Sequence, residues 1–333
     1  MGIPVVLTQI RWGIIGCGDV TEVKSGPALA KADGSALVAV MRRTADLAED
    51  YARRHGVPRW YADAEALVSD PDVDAVYVAT PPVAHLEGVR LAARHGKPVY
   101  VEKPMARTHG ECLAMVAACR EAGVPLFTAY YRRALPRFVE VKNLLDERAI
   151  GEVRAVSVQL SRRHVPSSGS LPWRLDATVA GGGLFVDLAS HTLDLLDHLL
   201  GPIAEVAGGA ANQGAYYGPE DIVTAALVFQ SGVRGTGLWC FTADRDEDRV
   251  EILGSDGRLT FSTFDDVPVV LTRGRDVEQR VIAHPPHVQQ PLIQSVVDQL
   301  LGRGRCVSTG ESGARTNWVM DVLLQQFRIQ NSE

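Results

Sequence analysis

Arg11-Trp12-Gly13-Ile14-Ile15-Gly16-Cys17-Gly18 is the stretch on which the fold turns. An apolar run of strand length, residues 11–15, leads straight into a turn with glycine at two of its three positions. Glycine adopts backbone angles closed to other residues and lets another group come close. A Gly-x-Gly turn between strand and helix therefore suits a pyrophosphate seated on the helix N-terminus. Gly16 and Gly18, with Asp19 and Val20 opening the helix, are the expected phosphate contacts. Alone, such a turn is as often an ordinary one, and its weight comes from the βαβ context around it. The third fingerprint position is Thr21 rather than Gly or Ala, which predicts slightly looser helix–sheet packing without loss of the site.

Outward from this turn the pattern repeats. Residues 35–41 (SALVAVM), 74–79 (DAVYVA), 98–101 and 125–129 read as buried strands, with a short one at 60–61. Helical patterns fill the intervals: one from the Gly-rich turn to about residue 32, then 44–55, 63–68, 84–95 and 108–122. Continuous apolar strands alternating with helices imply a doubly wound parallel sheet covered on both faces, the α/β Rossmann class. Beyond residue 130 the character changes. Residues 152–160, 206–211, 222–229, 233–241, 249–253 and 257–261 are strand-like, interrupted by one strong helix from about 183 to 200. Helices follow at 291–301 and 314–327. Consecutive strands imply an α+β domain with a mostly antiparallel sheet. The expected division is 1–129 and 130–333, just past the last parallel strand.

Composition narrows the function. The 333 residues carry 34 Lys and Arg against 40 Asp and Glu, a net charge of −6, with 6% aromatics. A mildly acidic chain without a basic tract or stacking aromatics does not predict a nucleic-acid partner. The five cysteines are scattered and form no C-x-x-C pair, which predicts reduced thiols, no metal knuckle and a cytoplasmic setting. No uncharged run reaches the roughly 18 residues that span a bilayer. Arg11 interrupts the N-terminal apolar run too early for a signal peptide, so no membrane partner is expected.

Four further constellations carry chemistry. Arg42 and Arg43 stand at the end of the second strand, where a cofactor with a free ribose 2′-hydroxyl would meet Asp or Glu. Guanidinium forks suit a 2′-phosphate, so the reading favours NADP, with NAD possible and a solvated surface pair as the alternative. Thr80-Pro81-Pro82-x-x-His85 stiffens the turn after the third strand at the sheet's carboxyl edge, where the cofactor is expected to bind Thr80, Pro81 and His85, although His85 could equally be a partly exposed helix start. Glu102-Lys103-Pro104 follows the fourth strand at the sheet's carboxyl edge, where Glu102 and Lys103 are expected to face the cofactor crevice. There Lys103 could polarise a carbonyl or share its proton, against the alternative of a surface ion pair. Last, Gly181-Gly182-Gly183 precedes Asp187, His191 and Asp194 at i, i+4 and i+7, one face of a helix. A His with a carboxylate one turn away makes an acid/base pair. A metal site would need ligands the chain does not advertise, so none is expected. In the blander reading this polar face, with Asp194, Asp197 and His198, meets solvent.

The ordered set resembles the glucose–fructose oxidoreductase / inositol dehydrogenase / rhizopine catabolism (Gfo/Idh/MocA) family over nearly the whole chain. It runs from Gly16-x-Gly18 through Thr80-Pro81 with His85, Glu102-Lys103-Pro104, Tyr131-x-Arg133 with Pro136, and Trp173-Arg174 to the glycine-preceded Asp187-x-x-x-His191-x-x-Asp194. The resemblance implies hydride transfer between NAD(P) and a sugar, polyol or related secondary alcohol, with Lys103, Asp187 and His191 as the catalytic set. It also implies that Trp173 and Arg174 contact the nicotinamide end, as in a 1,5-anhydrofructose reductase-like branch that uses NADP. A large, mostly antiparallel open sheet in the second domain is implied as well, forming a subunit interface in a homodimer or homotetramer. Ala189 departs from a commoner glycine, with no expected consequence. Lys103 and His191 are thereby expected to contribute from different domains to one site. Two other classes share this architecture: a hydrolase whose held cofactor transiently oxidises a glycoside, and a non-catalytic cofactor-binding regulator. Retention of both Lys103 and His191 ranks the regulator last.

Overall fold

The computed structural model describes residues 8–164 and 171–331, which fall into two compact units. The first contains the chain up to residue 106, then 110–135 and 285–314; the second contains 107–109, 136–284 and the chain from 315. Sequence continuity had assigned all of 130–333 to the second domain. Residues 285–314 return to the first because the amphipathic helix within them buries Leu292, Ile293, Val296 and Val297 there.

In the first unit six strands are all parallel: β1 (Ile10–Ile15), β2 (Ser35–Met41), β3 (Arg59–Tyr61), β4 (Ala75–Val78), β5 (Val99–Val101) and β6 (Leu126–Thr128). Their spatial order, β3-β2-β1-β4-β5-β6, reverses between β1 and β4. Ligands of open α/β sheets bind outside the carboxyl ends of the strands at such a reversal. Every residue of β4, β5 and β6 is buried, as strands covered on both faces require. The single helix expected after the Gly-rich turn is in fact two: α1 (Asp19–Val23) and α2 (Gly26–Lys31). Pro27, in the first turn of α2, has no amide hydrogen to continue α1. The Val23 carbonyl instead accepts from His287 Nδ1 at 3.2 Å.

The remaining helices of this unit are α3 (Ala45–His55), α4 (Ala64–Ser69), α5 (His85–Arg94) and most of α6 (His109–Glu121). Val76, Val78, Val89, Ala92, Met105, Cys112 and Met115 belong to the core they enclose.

The second unit is built on eight strands: β7 (Val153–Arg163), β8 (Ile203–Ala211), β9 (Ile222–Phe229), β10 (Arg234–Ala243), β11 (Glu247–Gly254), β12 (Arg258–Phe261), β13 (Val269–Arg273) and β14 (Asp276–Arg280). Their order is β14-β13-β12-β11-β7-β10-β9-β8, antiparallel except where β10 meets β7. The β13–β14 hairpin went unread in the sequence because β14 (DVEQR) is a polar edge strand with no buried alternation. One sheet face carries the core, with Val158, Leu160, Leu227, Trp239, Phe241 and Ile252 buried. On the other face, Ser157, Thr236 and Ala226 lie in register, as do Gln159, Leu238 and Thr224 one row along. Among the described residues no helix is long and apolar enough to cross a membrane.

Candidate active site

The turn after β1 has the geometry its sequence requires. Gly16 has φ +90°, and a Cβ there would lie 2.6 Å from Thr80 Cγ2, so only glycine lets the loops after β1 and β4 touch. The Gly16 and Cys17 amides donate to the Met41 carbonyl at 2.9 and 3.1 Å, tying the turn to the end of β2. A Cβ on Gly18 would meet only the Gly16 carbonyl oxygen, at 4.0 Å, so the space beside the start of α1 is open. Thr21 does more than tolerate this arrangement. Its hydroxyl donates to the Gly18 carbonyl at 2.7 Å and accepts the Gly18 amide at 3.0 Å, closing the turn. Thr21 is fully buried, so the expected looseness is absent; the closest packing passes to Gly26, whose Cβ would meet Thr21 O at 2.3 Å. Cys17 is buried, and desolvation pushes its thiol up to about 11, which leaves it unreactive at neutral pH.

Asp19 is exposed and Val20 half-buried at the mouth of this turn. Arg42 and Arg43 follow β2 and are both exposed. By contrast Arg54 on α3 is committed to Glu22 at 2.7 Å and Asp50 at 2.6 Å. Its hydrogen bonds hold the Glu22 carboxyl down near 2 despite partial burial.

Two motif residues proved more deeply placed than expected. His85 is fully buried, not partly exposed, because it opens α5 beneath the turn. Nε2 lies 2.7 Å from the Thr80 carbonyl and Nδ1 3.0 Å from the Met105 carbonyl. Desolvation pulls its pKa below the usual value, and the residue ties the Thr80–Pro81 turn to the segment after Lys103. Glu102 is buried as well, which excludes the surface ion pair. Its carboxylate accepts from Tyr77 Oη at 2.6 Å, Gln289 Nε2 at 2.7 Å and the Lys103 amide at 2.9 Å. Glu102 thus fixes the backbone of Lys103, whose own side chain is half-exposed. Tyr131 and Arg133 lie in a buried short turn, and Arg133 donates to the Val307 carbonyl at 3.1 Å.

In the second unit Gly181 ends α8 (Ala177–Ala180) at φ +88°, and a Cβ on it would meet Arg107 Cα at 2.6 Å. Gly182 and Gly183 leave room for Val186, Pro219 and Glu220. The expected helix over 183–200 is not uniform. Phe185–Ala189 forms a π-helical turn, and α9 (Ser190–Leu200) follows it. Asp187 lies in the wider turn, so its stripe with His191 and Asp194 is not a straight α-helical face. Asp187 is partly exposed and 3.6 Å from Arg174, whose guanidinium also lies 4.5 Å over the Trp173 ring. His191 is buried, edge-on to Phe264 with centroids 5.9 Å apart. The solvated reading fails for Asp194 and Asp197, whereas His198 is half-buried. Asp194 is fully buried with Thr316 Oγ1 at 3.3 Å, and Asp197 is held by Arg315 at 2.7 and 2.9 Å.

Sequence reasoning missed Glu220, which is 2% exposed and accepts the Gly183 amide at 2.8 Å. Burial pushes its carboxyl up to about 7. Nothing local links it to a glycine 37 positions earlier. Gln289 and Tyr77 were missed for the same reason. The sequence places substrate specificity in loops such as 162–171 and 211–219; the first lies mostly outside the described residues, and the second is described. Among the described residues no group of three His, Cys, Asp or Glu could hold a metal ion.

Comparison with known proteins bears on the family and the fold. Residues 10–130 match the oxidoreductase family model with an NAD-binding Rossmann fold, and residues 138–260 match the GFO/IDH/MocA C-terminal domain. The chain is 37% identical to oxidoreductase P35 of Formosa agariphila over 95% of its own length and 98% of that protein's. It is 32% identical to 1,5-anhydro-D-fructose reductase of Ensifer adhaerens, covering 91% and 92% of the two chains. The crystal structure of aldose-aldose oxidoreductase from Caulobacter crescentus, complexed with glycerol, superposes with a TM-score of 0.83 at 27% identity, covering 94% and 96%.

Proposed function

The chain belongs to the GFO/IDH/MocA family of NAD-binding oxidoreductases, and from that premise we propose that it prefers NADP(H) and passes hydride between it and a ketone or secondary alcohol of a sugar-like molecule. The observation that carries the cofactor preference is the exposed Arg42–Arg43 pair after β2, with no acid before Asp46. The turn fits a dinucleotide: Gly16 and Gly18 keep side chains away from the start of α1, leaving room for a pyrophosphate. Gly16, Gly18, Asp19, Val20, Thr80 and Pro81 would line the phosphates and Arg42 and Arg43 the 2′-phosphate. His85 and Glu102 act from beneath by fixing the turns. Trp173 and Arg174 are assigned to the nicotinamide end. The sugar-like substrate class is supported by relatives named 1,5-anhydro-D-fructose reductase and aldose-aldose oxidoreductase.

When bound, the nicotinamide supplies the hydride donor or acceptor. His191 exchanges the substrate hydroxyl proton through its imidazole. Lys103 Nζ stabilises the negative charge that develops on the substrate oxygen. Asp187, already beside Arg174, orients the substrate or the imidazole.

The same reading makes the protein a cytoplasmic homodimer or homotetramer, with the open face of the second unit's sheet as the contact. The test of cofactor preference is titration of NADP and NAD against wild type and the Arg42→Ala, Arg43→Ala double variant. Equal wild-type affinities would overturn it.

A further inference from the structure

The triple glycine ahead of Asp187 is held from two sides. Arg328 donates to the Gly181 carbonyl at 2.7 Å through Nη2 and to Asp321 at 2.7 Å through Nη1. Across the segment, Glu220 Oε1 accepts the Gly183 amide at 2.8 Å. Gly183 passes this constraint forward through its next peptide, whose carbonyl accepts the Asp187 amide at 3.3 Å. The Asp187 carbonyl in turn accepts from Ser190 Oγ at 3.1 Å, one residue before His191.

Glu220 can act as a fixed post because its loop is itself pinned. Asn212 Nδ2 donates to the Tyr217 and Pro219 carbonyls at 2.5 and 2.8 Å. Asp221 accepts the amides of Gln213 and Gly214 at 2.8 and 2.6 Å. A carboxylate is a costly acceptor for one amide in a dry site. Desolvation pushes Glu220 up to about 7; the Gly183 amide and Arg328 relieve this in part, and Asp221 adds like charge. Natural chains retain such destabilising groups where function uses them.

We propose that Glu220 is a positioning residue for Asp187 and His191, setting the π-helical turn by anchoring the Gly183 amide. This rests on the catalytic assignment above, so the test needs one readout independent of turnover. Amide hydrogen exchange over residues 181–191, substrate kinetics and NADP affinity are measured on wild type, Glu220→Gln and Glu220→Met. Methionine fills the space without an acceptor, and glutamine keeps the acceptor without charge. The methionine variant should exchange faster over 183–190 and lose about tenfold or more in kcat, with NADP affinity unchanged. Glutamine should restore both the exchange and kcat to within about threefold of wild type. A merely structural role would instead lower activity in proportion to folded protein. Should the methionine variant not fold, Glu220→Asp, one methylene too short to reach Gly183, carries the same expectation. Wild-type exchange and kcat in the acceptor-deficient variant, or a glutamine variant as slow as it, would overturn the proposal. A wild type that turns over no substrate would refute the catalytic reading, while the exchange measurement would still decide the role of Glu220.

Discussion

Replacing Glu220 by glutamine should stabilise the protein, and increasingly so as pH rises. The carboxyl is 2% exposed, and burial lifts it from an ordinary value of 4.5 to about 7. A group whose folded value is raised contributes its full stability below the unfolded value and loses it as pH climbs through the folded one. The window is therefore about pH 4.5 to 7, and the protein is less stable above it. A shift of this size corresponds to about 3 kcal/mol at 1.36 kcal/mol per unit. Glutamine does not titrate and can still accept the Gly183 amide. Urea unfolding of both proteins at pH 5 and pH 8.5, at equal ionic strength, isolates the effect, since other titrations cancel in the difference. The Gln-minus-wild-type stability should shift by about 2–3 kcal/mol in favour of glutamine between the two pH values. A difference independent of pH, or one that moves the other way, would refute the assignment of a buried, strained carboxylate.

Removing both guanidiniums in Arg42→Ala, Arg43→Ala should weaken NADP binding by about 10- to 100-fold while leaving NAD nearly unchanged, as isothermal titration would read. Gly16→Ala should lower NADP affinity and thermal stability together, because the added Cβ would lie 2.6 Å from Thr80 Cγ2 at a φ of +90°; an unchanged melting temperature would contradict the close approach. Light scattering at micromolar concentration should give a multiple of 36.0 kDa, and a monomer would rule out the sheet-face interface.

The sequence carried the first unit almost entirely, because buried parallel strands and glycine-stopped helices announce themselves through local apolar runs. It failed there in giving residues 285–314 to the second domain and in missing the break between α1 and α2, which was legible in Gly26-Pro27 but was overridden by the helical pattern around it. In the second unit the sheet was legible as far as β12; the β13–β14 hairpin was missed, and its outer strand β14 is polar with no buried alternation. The Asp187–His191 motif could be found by spacing, yet its π-helical turn could not, since no residue type requires one. Burial of Asp194 and Asp197 depends on Thr316 and Arg315, more than 110 positions away. Glu220, Tyr77 and Gln289 escaped for the same reason: each acts through a partner that only the tertiary fold supplies.

The central claim is that Lys103 and His191 perform the chemistry of an NADP-dependent sugar-type oxidoreductase. It is tested most directly by following nicotinamide absorbance while keto-sugars and polyols are screened against wild type, Lys103→Ala and His191→Ala. Wild type should turn over at least one such substrate faster with the NADP couple than with the NAD couple. Each variant should fall by about 10²-fold or more in kcat while keeping its melting temperature and NADP affinity. Full activity in either variant, or no nicotinamide turnover by wild type, would contradict the account.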